Sequence, residues 1–307
     1  MAINIKKGLD DLDAALDPIS DEALEKLAPK MSELLPRGYL SVSQANLFIG
    51  CPRAWELRYV DRKPSKGVHR MFEGKNVHAA AEKVANAKME TGKVPSLDVA
   101  LDAFSDAFEQ SRPLIEDWED KDPGQAKDLG AELTRIYHAE VAPRIAPVGV
   151  EQDFTVQIAV PGTNETIPVY GVIDLNEVQL DRPEVEYDPA AVQKSKLPRR
   201  IRDLKVVTDK WGPNDLPNDL QFMTYAHAMG TPDVTVDQLV KGRAKVPKPR
   251  YETASHVMTP RETNHGLAVL GGVAKSIALG HFPMTAPDNW RCTEKWCSMW
   301  QYCRGKK

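Results

Sequence analysis

The chain has 307 residues, 42% hydrophobic and 27% charged, with a net charge of −4 and a pI near 6.0. Such a composition reads as a soluble globular protein of one elaborated domain or two small ones, and it excludes a uniformly basic coat for nucleic acid. No apolar signal core, no membrane-length run and no G-x-x-x-x-G-K-[ST] loop occurs, so the expectation is a cytoplasmic protein that does not bind a membrane and has no nucleotide motor of its own.

Residues 1–38 read as a helical appendage, with Leu9, Leu12 and Leu16 at helical spacing and Ser20 capping a second short helix interrupted near Pro29. The body, 39–307, starts with Ser41 and Gln44 as a capping box for a helix through Leu47 and Phe48. Pro52, directly after Cys51, ends that helix and suits the first position of the next, where Trp55 and Tyr59 share a face. Taken alone, Cys51 reads as a buried thiol.

A long helix is expected from Phe72 to Thr91, stopped by Gly92. Gly74, His78 and Glu82 stand four apart on one of its faces, and Ala79, Ala80 and Ala81 keep it slim. His78 is either a metal ligand or a hydrogen-bonded structural histidine. Two more helices are expected over 96–110 and 124–145, the second with a core stripe of Leu129, Leu133, Ile136 and Tyr137.

Strand periodicity follows. Val150, Phe154, Val156, Ile158 and Val160 on one face alternate with Glu151, Asp153, Thr155 and Gln157 on the other, which predicts a strand. Pro161-Gly162-Thr163-Asn164 reads as a hairpin turn into a second strand, Ile167 to Val178. Asp174 lies in that strand among Val172, Ile173 and Leu175, where a carboxylate needs a partner or a metal. Residues 179–200 read as a loop.

The run Ile201 to Thr208 predicts a third strand carrying Asp203-x-Lys205. Side chains two apart project together, so a carboxylate able to hold a divalent cation lies beside an ammonium, a pairing suited to phosphodiester hydrolysis. On its own the pattern is equally a solvated ion pair. Two basic groups flank the region: Lys194, Lys196, Arg199, Arg200 and Arg202, then Lys241, Arg243, Lys245, Lys248 and Arg250. Each is either a phosphate-lined groove or a solvated loop.

Asn218 or Asp219 caps a helix to Gly230 that sets Gln221 and Tyr225 on one face, and Thr259-Pro260-Arg261-Glu262 opens a last helix ending at Gly280. Near the C-terminus Cys292, Cys297 and Cys303 form C-x4-C-x5-C among aromatic residues. Such a grouping points to a metal or cluster site with Cys51 as the distant fourth thiolate. Tetrahedral zinc and an iron–sulfur cluster both accept four thiolates; the missing C-x2-C pair leans toward iron–sulfur.

The opening Ser41-x-Ser43-Gln44 with Cys51-Pro52-x-x-Trp55, Gly74-x3-His78-x3-Glu82, Gly171-x-Ile173-Asp174, Asp203-x-Lys205, Gln221-x3-Tyr225 and the three late cysteines occur in that order. Together they resemble the RecB-like branch of the PD-(D/E)XK nuclease superfamily, and more narrowly the iron–sulfur exonucleases related to the CRISPR-associated adaptation nuclease and the AddB nuclease domain, versions of which are often phage-encoded. The resemblance implies an α/β fold with a central mixed sheet flanked by helices. It implies that His78, Asp174 and Asp203, with the Leu204 carbonyl, hold Mg²⁺ or Mn²⁺. Lys205 would act on the attacking water and the transition-state charge, with Glu82 counted in the catalytic group. Gln221 and Tyr225 would position DNA. Cys51, Cys292, Cys297 and Cys303 would carry a 4Fe–4S cluster, zinc being the lesser alternative. The spacing of the first two late cysteines is wider than the family's usual C-x2-C. The implied function is metal-dependent exonuclease action on single-stranded DNA ends in recombination, repair or phage DNA metabolism, with a helicase or recombination partner, or a second copy, as company. The alternatives are a catalytically idle DNA-binding subunit of a larger nuclease or helicase complex and a zinc-stabilised RNA-binding protein.

Overall fold

The computed structural model describes residues 34–304 apart from 66, 120, 243–245 and 247. Leu9, Leu12, Leu16, Ser20 and Pro29 of the expected appendage, and Arg243 and Lys245 of the second basic group, lie outside the described residues.

Helices α1 (Val42–Gly50) and α2 (Pro52–Tyr59) open the fold. Ser41 accepts from the Gln44 amide at 3.3 Å, which is half of the expected capping box. The buried Gln44 side chain does not reciprocate; its Nε2 donates instead to the Tyr39 carbonyl. Helix α3 (His69–Thr91) begins three residues earlier than its periodicity suggested and stops at Gly92, whose φ of 76° only glycine adopts without strain. Helices α4 (Leu97–Ser111) and α5 (Pro123–Ile136) follow, and α5 runs on into a π turn over Tyr137–Val141.

Strands β1 (Pro147–Ala159) and β2 (Thr166–Val178) form a long antiparallel hairpin. Strand β3 (Arg199–Val207) pairs antiparallel with β2; the intervening segment is not a plain loop but folds into two short helical stretches, Pro183–Glu186 and Pro189–Lys194. Next, β4 (Asp233–Val240) lies parallel to β3, which requires a crossover, and helix α6 (Leu220–Met229) provides it. Strand β5 (Arg250–Val257) closes the antiparallel edge, and helix α7 (Pro260–Ala278) carries the full Thr259–Glu262 capping box. The result is an α/β fold with a five-stranded mixed sheet, order β1-β2-β3-β4-β5, flanked by helices.

Apolar packing covers both faces of β3. Leu204, Leu175 and Leu239 pack with Val77, Val84, Phe104, Leu133 and Tyr137 from α3, α4 and α5. Ile201, Ile173, Val234 and Val236 pack with Phe222, Met223 and Tyr225 of α6. A third cluster joins α1 and α7 to the hairpin through Phe48, Trp55, Ile158, Ile167 and Leu270. Double coverage makes β3 the buried centre of the sheet, so any charged side chain on it must find its partners inside the protein.

Candidate active site

Register places Asp174 beside β3. Leu175 pairs with Arg202, and the next amide along, that of Leu204, donates to Asp174 Oδ2 at 2.9 Å. The same oxygen lies 3.4 Å from His78 Nδ1, which α3 delivers from above the sheet. His78, Glu151 and Asp174 bring one ligand atom each within 4.8 Å of one another. His78, Glu82, Glu151, Asp174 and Leu204 all line one recess, with about 360 Å³ of space between α3 and the strands.

Glu151 is the residue that alternation misplaces. Its φ is +47°, the backbone register slips between Pro147 and Gly149, and its carboxylate joins His78 and Asp174 at the recess. Gly149 is the local mark of this irregularity, since a Cβ there would lie 2.0 Å from the Gln152 side chain. A glycine inside an otherwise alternating strand was the available signal.

On the α6 side Asp203 is 1% exposed. Lys205 Nζ stands 2.5 Å from Asp203 Oδ2 and donates to Gln221 Oε1 at 2.9 Å. Gln221 Nε2 donates to Asp203 Oδ1 at 2.9 Å and to the Tyr225 hydroxyl at 2.7 Å, and that hydroxyl donates to the Val172 carbonyl at 2.5 Å. Asp219 caps α6 by accepting from the Gln221 and Phe222 amides, which fixes the face that Gln221 presents. Asp203 Oδ2 is buried with the Lys205 ammonium as its close partner.

Electrostatics follow from this packing. Burial, then repulsion from Asp174, pushes the Asp203 carboxyl up to about 6. Burial also raises Asp174, against the pull of His78 and the Leu204 amide. Glu151 is raised by burial first and by the nearby Glu82 charge second. Burial alone would lower Lys205, but its ion pair and hydrogen bond with Asp203, together with Asp174, raise it overall. Lys205 is therefore an ammonium, and the carboxylates crowd one another. One imidazole nitrogen with convergent carboxylates is a ligand set for a hard or borderline divalent cation. The structure brings His78, Glu151 and Asp174 together in it, while Asp203 stands beside the group with Lys205 as its partner.

A family model of the PD-(D/E)XK nuclease superfamily matches residues 39–304. This chain belongs to that superfamily. The mixed sheet carrying Asp174 and Asp203 between helices is the nuclease fold, a fold whose members use divalent metals. Among solved structures the nuclease is similar to that of SSO0001, at 12% identity over 88% of this chain and 87% of that chain, with a TM-score of 0.39. It is also similar to one described as "Putative exonuclease" from Eubacterium rectale, at 13% identity over 88% and 89% of the two chains, with a TM-score of 0.48. No curated protein matches the chain in sequence.

The nuclease also gathers its cysteines. Cys51, at the start of α2, lines one recess of about 320 Å³ with Cys292, Cys297 and Cys303. Burial would raise the Cys51 thiol, but hydrogen bonds with Thr285 and with the Ala54 and Arg53 backbone lower it overall. Burial raises Cys297, and the other three cysteines add to the rise. Among the described residues no three of these sulfurs fall within 4.8 Å of one another. A single tetrahedral zinc ion would hold them about 3.8 Å apart.

The basic groups are largely used inside the protein. Arg202, read from sequence as a phosphate candidate, is buried on β3: Nε and Nη2 bond Asp237 at 2.8 and 2.6 Å, and Nη1 bonds Glu177 at 2.9 Å. Tyr251 closes the network on Asp237 at 2.6 Å. Arg200 pairs with Glu177, Lys241 with Glu73 and Arg250 with Glu252. Only Lys194, Lys196 and Lys248 of the described members stand exposed in the manner of a phosphate-facing surface. No helix among the described residues is long and apolar enough to cross a membrane.

Proposed function

We propose that this nuclease is a Mg²⁺- or Mn²⁺-dependent deoxyribonuclease that degrades DNA from single-stranded ends. The observation that carries the reading is the convergence of His78, Glu151 and Asp174 within 4.8 Å beside the Asp203–Lys205 pair. A bound divalent cation would polarise the scissile phosphate and supply a water of lowered pKa. His78, Asp174 and Asp203 are the ligands we assign to it, with the Leu204 carbonyl and Glu151 as further oxygen donors. Glu82, one turn beyond His78, adds negative charge to the recess rim.

Lys205 has its proton in this arrangement, so its part is charge: the ammonium offsets the negative charge that builds on the phosphate as the new bond forms. Gln221 holds Asp203 and Lys205 at their spacing, and Tyr225 anchors Gln221 through the Val172 carbonyl. Both are assigned to positioning the site and the DNA strand. We assign a 4Fe–4S cluster to the four cysteines. Their common recess suits a shared metal group, and the missing C-x2-C pair leans toward iron–sulfur over zinc.

The test is a gel assay on end-labelled linear single-stranded DNA beside a covalently closed circle, with Mg²⁺, Mn²⁺ or chelator. Cleavage of the linear strand alone, only with the metal ions, is the expected result. Cleavage in chelator, or equal attack on the circle, overturns the metal or the end-dependent part respectively. No cleavage of any DNA or RNA under anaerobic conditions favours the idle DNA-binding subunit.

A further inference from the structure

Two features outside the catalytic recess have no structural duty that explains them. The first is a pair of tryptophans on the surface near the C-terminus, Trp290 and Trp296, 61% and 47% exposed. Their rings meet edge to face, 5.8 Å apart. Arg291 lies 5.1 Å from the centre of one ring; Lys295 and Arg70 lie 5.4 and 5.1 Å from the other. Arg70 is also ion-paired with Glu119, which leaves Arg291 and Lys295 as the cations beside the rings. Large aromatic rings left in water beside such cations are unusual on a protein surface unless something covers them.

The second is the stripe that links this patch to the recess. Arg70, Gly74, His78 and Glu82 succeed one another every four residues along α3, so they share a face. Arg70 reaches the patch, donating to the Lys295 carbonyl at 3.2 Å as well as covering Trp296. His78 belongs to the metal group. Between them Gly74 is bare: a Cβ there would meet nothing within 4 Å. Glycine inside a helix is unfavourable relative to alanine, and nothing packs against this one to require it. It leaves an open floor between patch and recess.

We propose that Trp290 and Trp296, with Arg291 and Lys295, form an entry platform for a single-stranded nucleic acid, which then crosses α3 over Gly74 to reach the recess; Arg70, ion-paired with Glu119, fixes the platform to α3. The inference rests on the nuclease reading above. Bases stack on the rings while phosphates meet the cations, the combination by which single strands are held without sequence preference. An apolar protein partner would instead have to strip water from the Arg291 and Lys295 charges. The eight residue steps from Arg70 to His78 span about 12 Å of helix, roughly three or four stacked nucleotides. A paired duplex hides its base faces and gains nothing from the rings.

The experiment measures binding of a fluorescein-labelled oligothymidylate 12-mer, and of a 12-bp duplex, to the full-length protein in chelator, where no cleavage occurs. We expect the wild type to prefer the single strand, Trp290→Ala and Trp296→Ala each to weaken it by about tenfold, and phenylalanine at either position to restore part of the loss. Arg291→Gln and Lys295→Gln should each flatten the dependence of log affinity on log salt by about 0.7, a change that a structural role would not produce. Gly74→Leu, which adds a side chain into open space, should weaken the single strand while leaving melting temperature equal or higher. Single-strand affinity unchanged in the double tryptophan variant overturns the platform alone. Failure of the wild type to bind any nucleic acid overturns the platform and the nuclease reading together.

Discussion

Asp203 should destabilise the metal-free protein, and removing its charge should therefore raise stability while ending activity. Its carboxyl titrates at about 6 in the folded chain against 3.8 for an ordinary aspartate, because it is buried and faces Asp174. At neutral pH that difference corresponds to about 3 kcal/mol against folding. Asp203→Asn keeps the shape and the hydrogen bond from Gln221 Nε2, but its amide group faces Lys205, so the net gain is about 1–3 kcal/mol. For a chain of this size that is roughly 2–5 °C in melting temperature. The sign has a pH signature. A raised carboxyl binds its proton more readily in the folded state, so wild-type stability on this account is greatest below about pH 4 and is lost as pH rises to 6. The advantage of Asp203→Asn should be full at pH 7 and vanish near pH 4. Saturating Mn²⁺ should then stabilise the wild type, by about 2.7 kcal/mol at a hundredfold excess over the dissociation constant, and should do little for the variant. Thermal melts of both proteins, in chelator and in Mn²⁺ at pH 4 and 7, read every term. A variant less stable than wild type in chelator at pH 7, or one equally stabilised by Mn²⁺, refutes the assignment of Asp203 as a strained cation ligand.

Other outcomes follow from the same geometry. Lys205→Ala should abolish turnover yet retain Mn²⁺ binding by thermal shift, since the ammonium acts on charge at the phosphate. Asp174→Ala should lose both, because it removes the carboxylate shared by His78 and the Leu204 amide. His78→Ala should weaken cation binding less, three carboxylates remaining nearby. Glu151→Gln should weaken Mn²⁺ binding by about tenfold without changing the melting temperature of the metal-free protein by more than a few degrees; unchanged affinity would return Glu151 to a purely solvated role. Tyr225→Phe should lower kcat with cation affinity intact, because it frees Gln221 from the Val172 anchor.

Much of the frame was legible because local signals and tertiary demands agreed. Asp219 and Thr259 cap the helices their spacing predicted, and over 151–159 of β1 the even-numbered residues are the less exposed, as their alternation required. At the start of the strand it breaks, Val150 packing on the α3 side and Phe154 on the α6 side. Legibility failed where a neighbour in space decides the outcome. Arg202 reads as one basic residue among five, yet double coverage of β3 buries it and forces the bond to Asp237, a residue on another strand. Glu151 obeys the alternation on paper; a left-handed backbone angle, invisible to periodicity, turns it toward His78. The grouping of Cys51 with cysteines at the other end of the chain was available from the count of thiols and from a family resemblance. Its common recess with those cysteines was not.

The cysteine site is proposed as a staple, and that leads to a separation of effects. Roughly 240 residues of chain lie between Cys51 and Cys292. Linking positions so far apart removes about 5 kcal/mol of unfolded-chain entropy in the loop-closure account of cross-links. What the link holds down has little apolar burial of its own: Met299 packs on Ala54 and Leu57 with Tyr302 beside it, Phe282 stacks on Trp55 at the segment's start, Thr285 donates to the Gly50 carbonyl, and most of the rest is exposed. So little apolar burial cannot keep the segment docked by itself, and Arg70 meets only its outer edge. Cys51→Ser should therefore lower the melting temperature by several degrees and remove any brown colour, with iron and sulfide lost in equal amounts. Folded molecules of the variant should still bind Mn²⁺ at the wild-type level, because His78 and Asp174 are held by α3 and the sheet and not by the segment. Single-strand binding should fall with the colour, since Trp290 and Trp296 ride on the segment that comes loose. Anaerobic purification followed by iron, sulfide and zinc analysis, melting, Mn²⁺ titration and 12-mer binding tests each step. Stoichiometric zinc without sulfide would replace the cluster but keep the staple. A variant that loses the metal group yet melts as wild type would mean that the segment supports the active site directly, contrary to the layout of α3.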